Sequence, residues 1–276
     1  MKSIALLLAT YNGEKYLRAQ LQSLSDQTNQ DWILYVRDDC STDKTLEIIN
    51  EFQIKHPEKI HLLPNNNVNL GAKKSFIELL KYAEADYYMF VDQDDVWLPT
   101  KIETSLRHLK KVEMKNPTKG ILTFCDAVVT DEELTMISPS FWKTTRTNPH
   151  QLKSGKKFEV FNCAPGCTML FNHRLKSALF PFPERAPMHD WWVAIVAQRI
   201  GIVHPFDEAL ILYRQHSSNA IGAEKINKSY FISKFYSLRN VIKAQNQHLA
   251  FLKEIKGVGK LEFYFIKLTY SIRRFF

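Results

Sequence analysis

Apolar and polar positions along the first third of the chain switch between two periods. Residues 3–9 form a continuous apolar run, the pattern of a strand buried on both faces, and residues 14–24 then place Tyr16, Leu17, Leu21 and Leu24 at helical spacing. Residues 32–36 read as a second strand, and residues 43–52 as a second helix behind a Ser41, Thr42, Asp43 cap. Residues 60–63 follow as a third strand, Gly71–Tyr82 as a third helix and Tyr87–Val91 as a fourth strand. Strand, helix and strand repeating in this way predict an α/β fold, a Rossmann-like, mostly parallel sheet with helices on both faces.

Beyond Pro99 the pattern predicts a helix over Lys101–Lys115, ended by Asn116 and Pro117, and a strand over 121–125. Residues 130–190 carry six prolines (139, 149, 165, 181, 183 and 187) and read as loops, short strands and a helix near 172–179. A helix over 190–200 and a strand over 209–213 complete the sheet. The last fifty residues differ in kind. Leu261, Tyr264, Phe265, Leu268, Ile272 and Phe275 fall on one helical stripe, accompanied by Lys260, Lys267, Arg273 and Arg274. Such a segment either packs on its own domain or lies on anionic lipid headgroups.

Composition narrows the class. The 276 residues include 37 Lys plus Arg and 29 Asp plus Glu, a formal charge of +8, with 45% apolar and 24% charged residues. That is a folded chain of one large domain or two fused halves, not a disordered or disulfide-dense one. The first apolar run is too short for a secretory leader, and no run approaches the ~20 residues of a bilayer span. Cys40, Cys125, Cys163 and Cys167 lack histidines at zinc-ligand spacing, so buried thiols in a reducing cytosol are expected. The positive charge favours an anionic partner. Nucleic acid is not expected, because the lysines are dispersed and no recognition motif accompanies them. A dinucleotide oxidoreductase is excluded by the missing G-x-G-x-x-G after the first strand.

In an open parallel sheet, ligands bind beyond the carboxyl ends of the strands. Three polar clusters stand there: Thr10-Tyr11-Asn12-Gly13-Glu14, Arg37-Asp38-Asp39-Cys40-Ser41-Thr42-Asp43, and Asp92-Gln93-Asp94-Asp95. Each alone reads as turn and cap chemistry, but three on one edge suggest a site. The third packs three carboxylates into four residues, either as a solvated acidic turn or as ligands of a hard divalent ion, Mn2+ or Mg2+, shared with substrate phosphates.

These clusters, with Asn69-Leu70-Gly71 and Phe90-Val91-Asp92-Gln93-Asp94-Asp95-Val96-Trp97, resemble the ordered motifs of inverting family 2 glycosyltransferases of the GT-A fold. Among these, the bacterial rhamnosyltransferases of polysaccharide and O-antigen assembly are the nearest in kind. The resemblance is strongest over the first hundred residues and continues at Met188-His189-Asp190-Trp191-Trp192 and Tyr213-Arg214-Gln215-His216. The family usually has glycine where Cys40 stands, which implies a strained turn here.

The resemblance implies a nucleotide-sugar-binding half over 1–100, an acceptor-binding and catalytic half over 101–222 of the same domain, and a C-terminal amphipathic helical segment over 223–276. Thr10, Tyr11, Asn12, Glu14, Asp38, Asp39, Asn69, Gly71 and Lys73 would hold the nucleotide. Asp92, Asp94 and His216 would hold the ion. Asp95, Trp97, His189, Trp191, Trp192 and Arg214 would contact acceptor or phosphate. Asp190 would be the catalytic base, although a carboxylate at a helix start is also an ordinary cap, and His216 also reads as a surface histidine.

The implied reaction is metal-dependent, inverting transfer of a sugar to a hydroxyl of a glycan or lipid-linked acceptor in cell-surface polysaccharide biosynthesis. The donor would be dTDP-L-rhamnose, with UDP-hexoses open. The Q-x-x-R-W motif of processive synthases is missing, so no attached membrane channel is expected. Localisation would be cytoplasmic and peripheral on the inner face of the membrane. The alternative is a non-catalytic nucleotide-sugar-binding scaffold in a glycan assembly complex.

Overall fold

The computed structural model describes residues 3–65, 67–216 and 238–273. Its strands are β1 (Ile4–Thr10), β2 (Trp32–Asp38), β3 (Ile60–Leu62), β4 (Tyr87–Val91), β5 (Val96–Trp97), β6 (Ile121–Thr130), β7 (Met136–Ser138), β8 (Met169–Asn172) and β9 (Ile202–Arg214). They form one sheet in the order β3-β2-β1-β4-β8-β6-β9-β5, with β7 alongside β6. β1 pairs in parallel with both β2 and β4, and β6 in parallel with β9. β8 runs antiparallel between β4 and β6. The expected parallel sheet therefore holds for its main strands, while β5, β7 and β8 run the other way.

The helices are α1 (Leu17–Ser25), α2 (Thr45–Lys55), α3 (Gly71–Tyr82), α4 (Lys101–Lys115), α5 (Phe141–Thr144), α6 (Pro149–Leu152), α7 (His173–Ser177), α8 (His189–Ile200), α9 (Leu238–Glu254) and α10 (Lys260–Arg273). The period-two geometry of β1 divides its side chains between two cores. Ile4, Leu6 and Leu8 pack with α1, α2 and α4, whereas Ala5 and Leu7 pack with α3, α8 and the C-terminal helices. A strand covered on both faces has no polar positions to spare, which is why its sequence is an unbroken apolar run.

Several boundaries move for local reasons. α1 begins at Leu17, because Gly13 to Tyr16 form a turn in which the Leu17 N–H donates to the Gly13 carbonyl. The cap position of the second helix falls on Lys44, which makes no side-chain cap bond, and Asp43 stands just before it with its Oδ1 accepting from the Thr45 N–H at 3.0 Å. The apolar residues before 172 form β8, and Asn172 closes it by accepting from the Leu175 N–H at 3.2 Å, which starts α7.

The C-terminal stripe resolves into two faces. Phe263 and Tyr270 on α10 are buried in the core beside Phe251 and Leu252 of α9, and the Tyr270 hydroxyl accepts from the Asn148 N–H at 2.8 Å. Leu261 (88% exposed), Tyr264, Phe265, Leu268 and Ile272 face outward. The helix therefore packs on its own domain through one face and presents the expected apolar stripe with the other. Arg274 and Phe275 lie outside the described residues.

Candidate active site

A cavity of about 900 Å³ opens at the carboxyl ends of β1, β2 and β4. One wall carries Thr10, Tyr11, Asp39, Asn69 and Gly71, the floor carries Asp92, Gln93 and Asp94, and the far wall carries residues 160–166, His189, Asp190 and Trp191. The three clusters of the sheet edge and the start of α8 thus meet in one space. Ligands collect there because the parallel strands all end on that edge.

The wall at the ends of β1 and β2 is built around Asp39. Its carboxylate is buried, which alone would raise its pKa, but N–H groups of Leu70 and Gly71 (2.8 and 2.7 Å) and a buried ion pair with Arg37 hold it below the usual range. Arg37 also donates to Ser75 Oγ at 2.8 Å and to the Val68 carbonyl at 3.0 Å. Asn69 Nδ2 donates to the Asp39 carbonyl at 2.9 Å. Arg37 stood in the sequence motif without an assigned task; its task is to fix the Asp39 loop. Gln93 was also left unassigned, and it clasps the Tyr11 backbone with both ends of its amide, at 2.9 and 3.0 Å.

Asn12, Glu14, Asp38 and Lys73 were expected at the nucleotide, but none lines the cavity. Asp38 is buried and accepts from Thr10 Oγ1, Ser41 Oγ and the Ser41 N–H. Asn12 and Glu14 brace the neighbouring loop by accepting from the Thr42 and Lys44 N–H groups. Lys73 donates to the carbonyls of Glu184 and Ala186, both at 2.9 Å. Cys40 adopts φ +68°, the left-handed region that favours glycine, so the departure from the family pattern falls on a position with real backbone strain.

The D-x-D carboxylates both line the cavity, and His216 Nε2 lies 2.8 Å from Asp94 Oδ2. Burial, together with Asp94 and Asp190, pushes the Asp92 carboxyl up. Such crowding of negative charge is what a divalent cation relieves. Ligand atoms of Asp92, Asp95 and Cys167 also lie within 4.8 Å of one another. Burial drives the Cys167 thiol well up, however, so it stays neutral. Oxygen and imidazole donors suit Mn2+ or Mg2+ better than a neutral thiol does, so Asp92, Asp94 and His216 fit such an ion by chemistry, while Asp92, Asp95 and Cys167 are the three whose ligand atoms converge most closely among the described residues.

Asp190 opens α8 and is only 8% exposed. Burial raises its carboxyl to about 6, against the opposing pull of N–H donors from Trp191 and Gly166 and of Asn162. Gly166 sits at a close approach: a Cβ there would stand 3.1 Å from His189 Nε2 and 3.4 Å from Asp190 Cβ. Asn162 and Gly166 come from the proline-rich middle, where the sequence offered no periodic signal. His189 is buried between the rings of Phe76 and Phe90, and burial lowers its imidazole to about 3, so it is neutral.

Four expected acceptor or phosphate contacts, Asp95, Trp97, Trp192 and Arg214, do not line the cavity. Asp95 is buried and accepts from the Arg214 N–H at 3.1 Å. Trp97 is buried beneath Lys101, whose Nζ sits 3.9 Å from its ring. Trp192 donates to the Leu179 carbonyl and packs on Phe251. Arg214 donates to the carbonyls of Asp94 and Glu132 and stacks on Tyr16, which anchors the acidic loop. The family resemblance implied contact with substrate, but the cavity wall does not include these four residues.

A mostly parallel α/β sheet with an acidic pair at its carboxyl edge and a buried carboxylate across the cavity is the architecture of the GT-A glycosyltransferases. The chain belongs to glycosyl transferase family 2, which its residues 6–176 match. It is 31% identical over 232 residues to the dTDP-rhamnosyl transferase RfbG of Shigella flexneri, covering 78% of this chain and 74% of that one. It is 25% identical over 200 residues to WfaP of Escherichia coli, a UDP-Glc:alpha-D-GlcNAc-diphosphoundecaprenol beta-1,3-glucosyltransferase, covering 72% of each.

Among solved structures, the mannosyltransferase PcManGT of Pyrobaculum calidifontis in complex with GDP-Man and Mn2+ aligns with a TM-score of 0.59 at 16% identity, over 93% of this chain and 65% of that one. S. aureus TarS in complex with UDP aligns at 0.57 and 22% identity, over 77% of this chain and 60% of that one. These likenesses show the fold.

Proposed function

We propose that this glycosyltransferase inverts configuration as it moves a sugar from a nucleotide diphosphate donor to a hydroxyl of a glycan or lipid-linked acceptor in cell-surface polysaccharide biosynthesis. The observation that carries the reading is Asp190, a buried carboxylate facing the same cavity as Asp92 and Asp94. With its pKa raised to about 6, it is a stronger base than an ordinary carboxylate and still ionised at neutral pH. The likeness to RfbG supports dTDP-L-rhamnose as the donor.

Asp190 takes the proton of the acceptor hydroxyl as that oxygen bonds to the anomeric carbon and the bond to the diphosphate breaks on the opposite face. Asp39, Asn69, Thr10 and Tyr11 bind base and ribose, in the half formed by residues 1–100. Asp92, Asp94 and His216 would hold Mn2+ or Mg2+, which would supply positive charge against the departing diphosphate. Residues 101–222 supply the acceptor wall, with Trp191 beside the base and His189 as a neutral neighbour. The exposed apolar stripe and basic residues of α10 rest the enzyme on the inner face of the membrane. No described helix is long and apolar enough to cross one.

Thermal shift with a panel of nucleotide sugars tests the reading. The true donor raises the melting temperature in Mn2+ and loses that effect in chelator and in Asp94→Asn. If no nucleotide sugar stabilises the protein, the functional reading fails; if chelator leaves both binding and transfer intact, the metal assignment fails.

A further inference from the structure

We propose that Glu159 is a positioning residue through which the C-terminal helices hold one wall of the cavity against Asp190. The inference rests on the transferase reading above and gives α9 and α10 a part in it beyond any contact with lipid. Glu159 ends a short turn, Lys157–Glu159, and is 2% exposed. Residues 160–166, which follow it, all line the catalytic cavity, and Asn162 and Gly166 among them donate to the Asp190 carboxylate. The place of Glu159 therefore sets where the segment carrying those donors begins.

All three oxygens of Glu159 are taken, each by a different element. Oε1 accepts from Arg199 of α8, at 2.9 Å from Nε and 2.7 Å from Nη2. Oε2 accepts from the Val258 N–H, in the turn between α9 and α10, at 2.6 Å. The carbonyl oxygen lies 2.7 Å from His248 Nε2 of α9, and since a carbonyl only accepts, this nitrogen carries a proton. Arg199 continues to the Ile255 carbonyl at 2.8 Å, and a Cβ on Gly257 would stand 2.7 Å from Glu159 Oε2, so the turn closes directly on the carboxylate. The two helices reach the same wall at two further points. The His248 ring meets Trp191 edge-on at 4.7 Å, and Tyr270 packs on Phe161 at 4.9 Å. Trp191 in turn donates from its indole to the Phe158 carbonyl. Residues 161–165 belong to no helix or strand, so these side-chain contacts, and not a backbone ladder, fix the wall. Removing one partner leaves a buried polar group unmet, and the segment shifts to satisfy it.

The test compares Glu159→Gln, His248→Leu, Gly257→Ala and His248→Gln in the full chain. Hydrogen exchange read by mass spectrometry should rise about tenfold over residues 160–166 in the first three and stay at the wild-type rate over 5–10 and 34–38. His248→Gln, whose amide can still donate to the Glu159 carbonyl, should restore protection. Transfer from dTDP-L-rhamnose should lose about ten- to a hundredfold in kcat with the donor KM within about twofold, because the wall beside the base moves and the sheet edge does not. Glu159→Gln combined with His248→Leu should cost less than the product of the two single losses, since both act at one joint. His248 is only half-buried, so its variants keep the comparison open where Glu159→Gln folds poorly. The proposal is overturned if exchange over 160–166 is unchanged, if kcat stays within about twofold of wild type, if only the donor KM moves, if His248→Gln is as impaired as His248→Leu, or if the two losses multiply. Failure of the transferase reading registers separately, as a wild type that binds no nucleotide sugar in Mn2+, and the exchange measurement then decides the role of Glu159 in the wall.

Discussion

Replacing Asp190 by asparagine should inactivate the enzyme and stabilise it at the same time. The carboxyl rises from the ordinary 3.8 to about 6 because burial penalises its charge. Roughly two units at 1.36 kcal/mol each place the folded-state penalty for the ionised form at about 3 kcal/mol. Asparagine keeps one acceptor oxygen for the Gly166 and Trp191 N–H groups but turns an amide N–H toward the other, which returns about 1–2 kcal/mol. The net gain is about 1–2 kcal/mol, or roughly 2–6 °C in melting temperature for a chain of this size.

The sign follows from linkage. The folded-state pKa lies above the unfolded one, so the wild type holds its full stability below about 3.8 and loses part of it as pH rises through about 6. Melting curves in chelator from pH 4 to 8 should show the variant's advantage small at pH 4 and complete by pH 7. Transfer should fall by about 10²–10⁴-fold, since a positioned base contributes on that order. A variant that melts no higher than wild type at pH 7 refutes the buried-charge argument, and one that transfers within tenfold of wild type refutes the assigned base.

Other perturbations separate the roles of the surrounding residues. The kcat/KM for transfer should drop about tenfold per pH unit below about 6, as Asp190 takes up its proton, and a flat profile from pH 4.5 to 8 would remove it as the titrating group. Arg37→Met leaves Asp39 buried without its ion partner, so chemical denaturation should show a loss of about 3–5 kcal/mol together with weaker nucleotide binding; an unchanged midpoint would mean the pair is dispensable. Cys40→Gly relieves a left-handed backbone and should add about 1 kcal/mol, checked by the same denaturation, with no gain indicating no strain. Phe265→Glu with Leu268→Glu, both at exposed positions, should reduce binding to phosphatidylglycerol vesicles about tenfold at constant melting temperature; undiminished binding would move the membrane contact elsewhere.

What could be read from the chain beforehand follows from how local the cause is. Gly71–Tyr82, Tyr87–Val91 and Lys101–Lys115 form with the expected ends because period and terminators sit within each segment. The antiparallel β8 could not be read this way. Met169-Leu170-Phe171-Asn172 is too short to show a period, and its direction is set by β4 and β6, far away in sequence. On α10 the stripe was legible but not its orientation, since Phe263 and Tyr270 on the other face find Phe251, Phe161 and Asn148 to pack against.

The same distinction explains which site residues were found. Asp39, Asp92 and Asp94 face the cavity because strand ends of a parallel sheet fix their place, and that geometry follows from the repeat itself. Lys73 and Arg214 carried the right charge for phosphate, yet their long side chains reach carbonyls more than eighty residues away, a choice no local pattern encodes. The wall opposite the sheet edge is the harder half for the same reason. Gly166 and Asn162 matter only because Asp190 folds against them, so their chemistry appears once α8 has docked and not before. On the proposed reading, in which this wall holds the acceptor and the sheet edge the nucleotide, the wall can change with the irregular middle of the chain while the sheet edge stays fixed. That predicts that exchanging residues 160–188 between family members should alter acceptor choice before donor choice, and an exchange that switched the donor instead would place sugar selection on this wall.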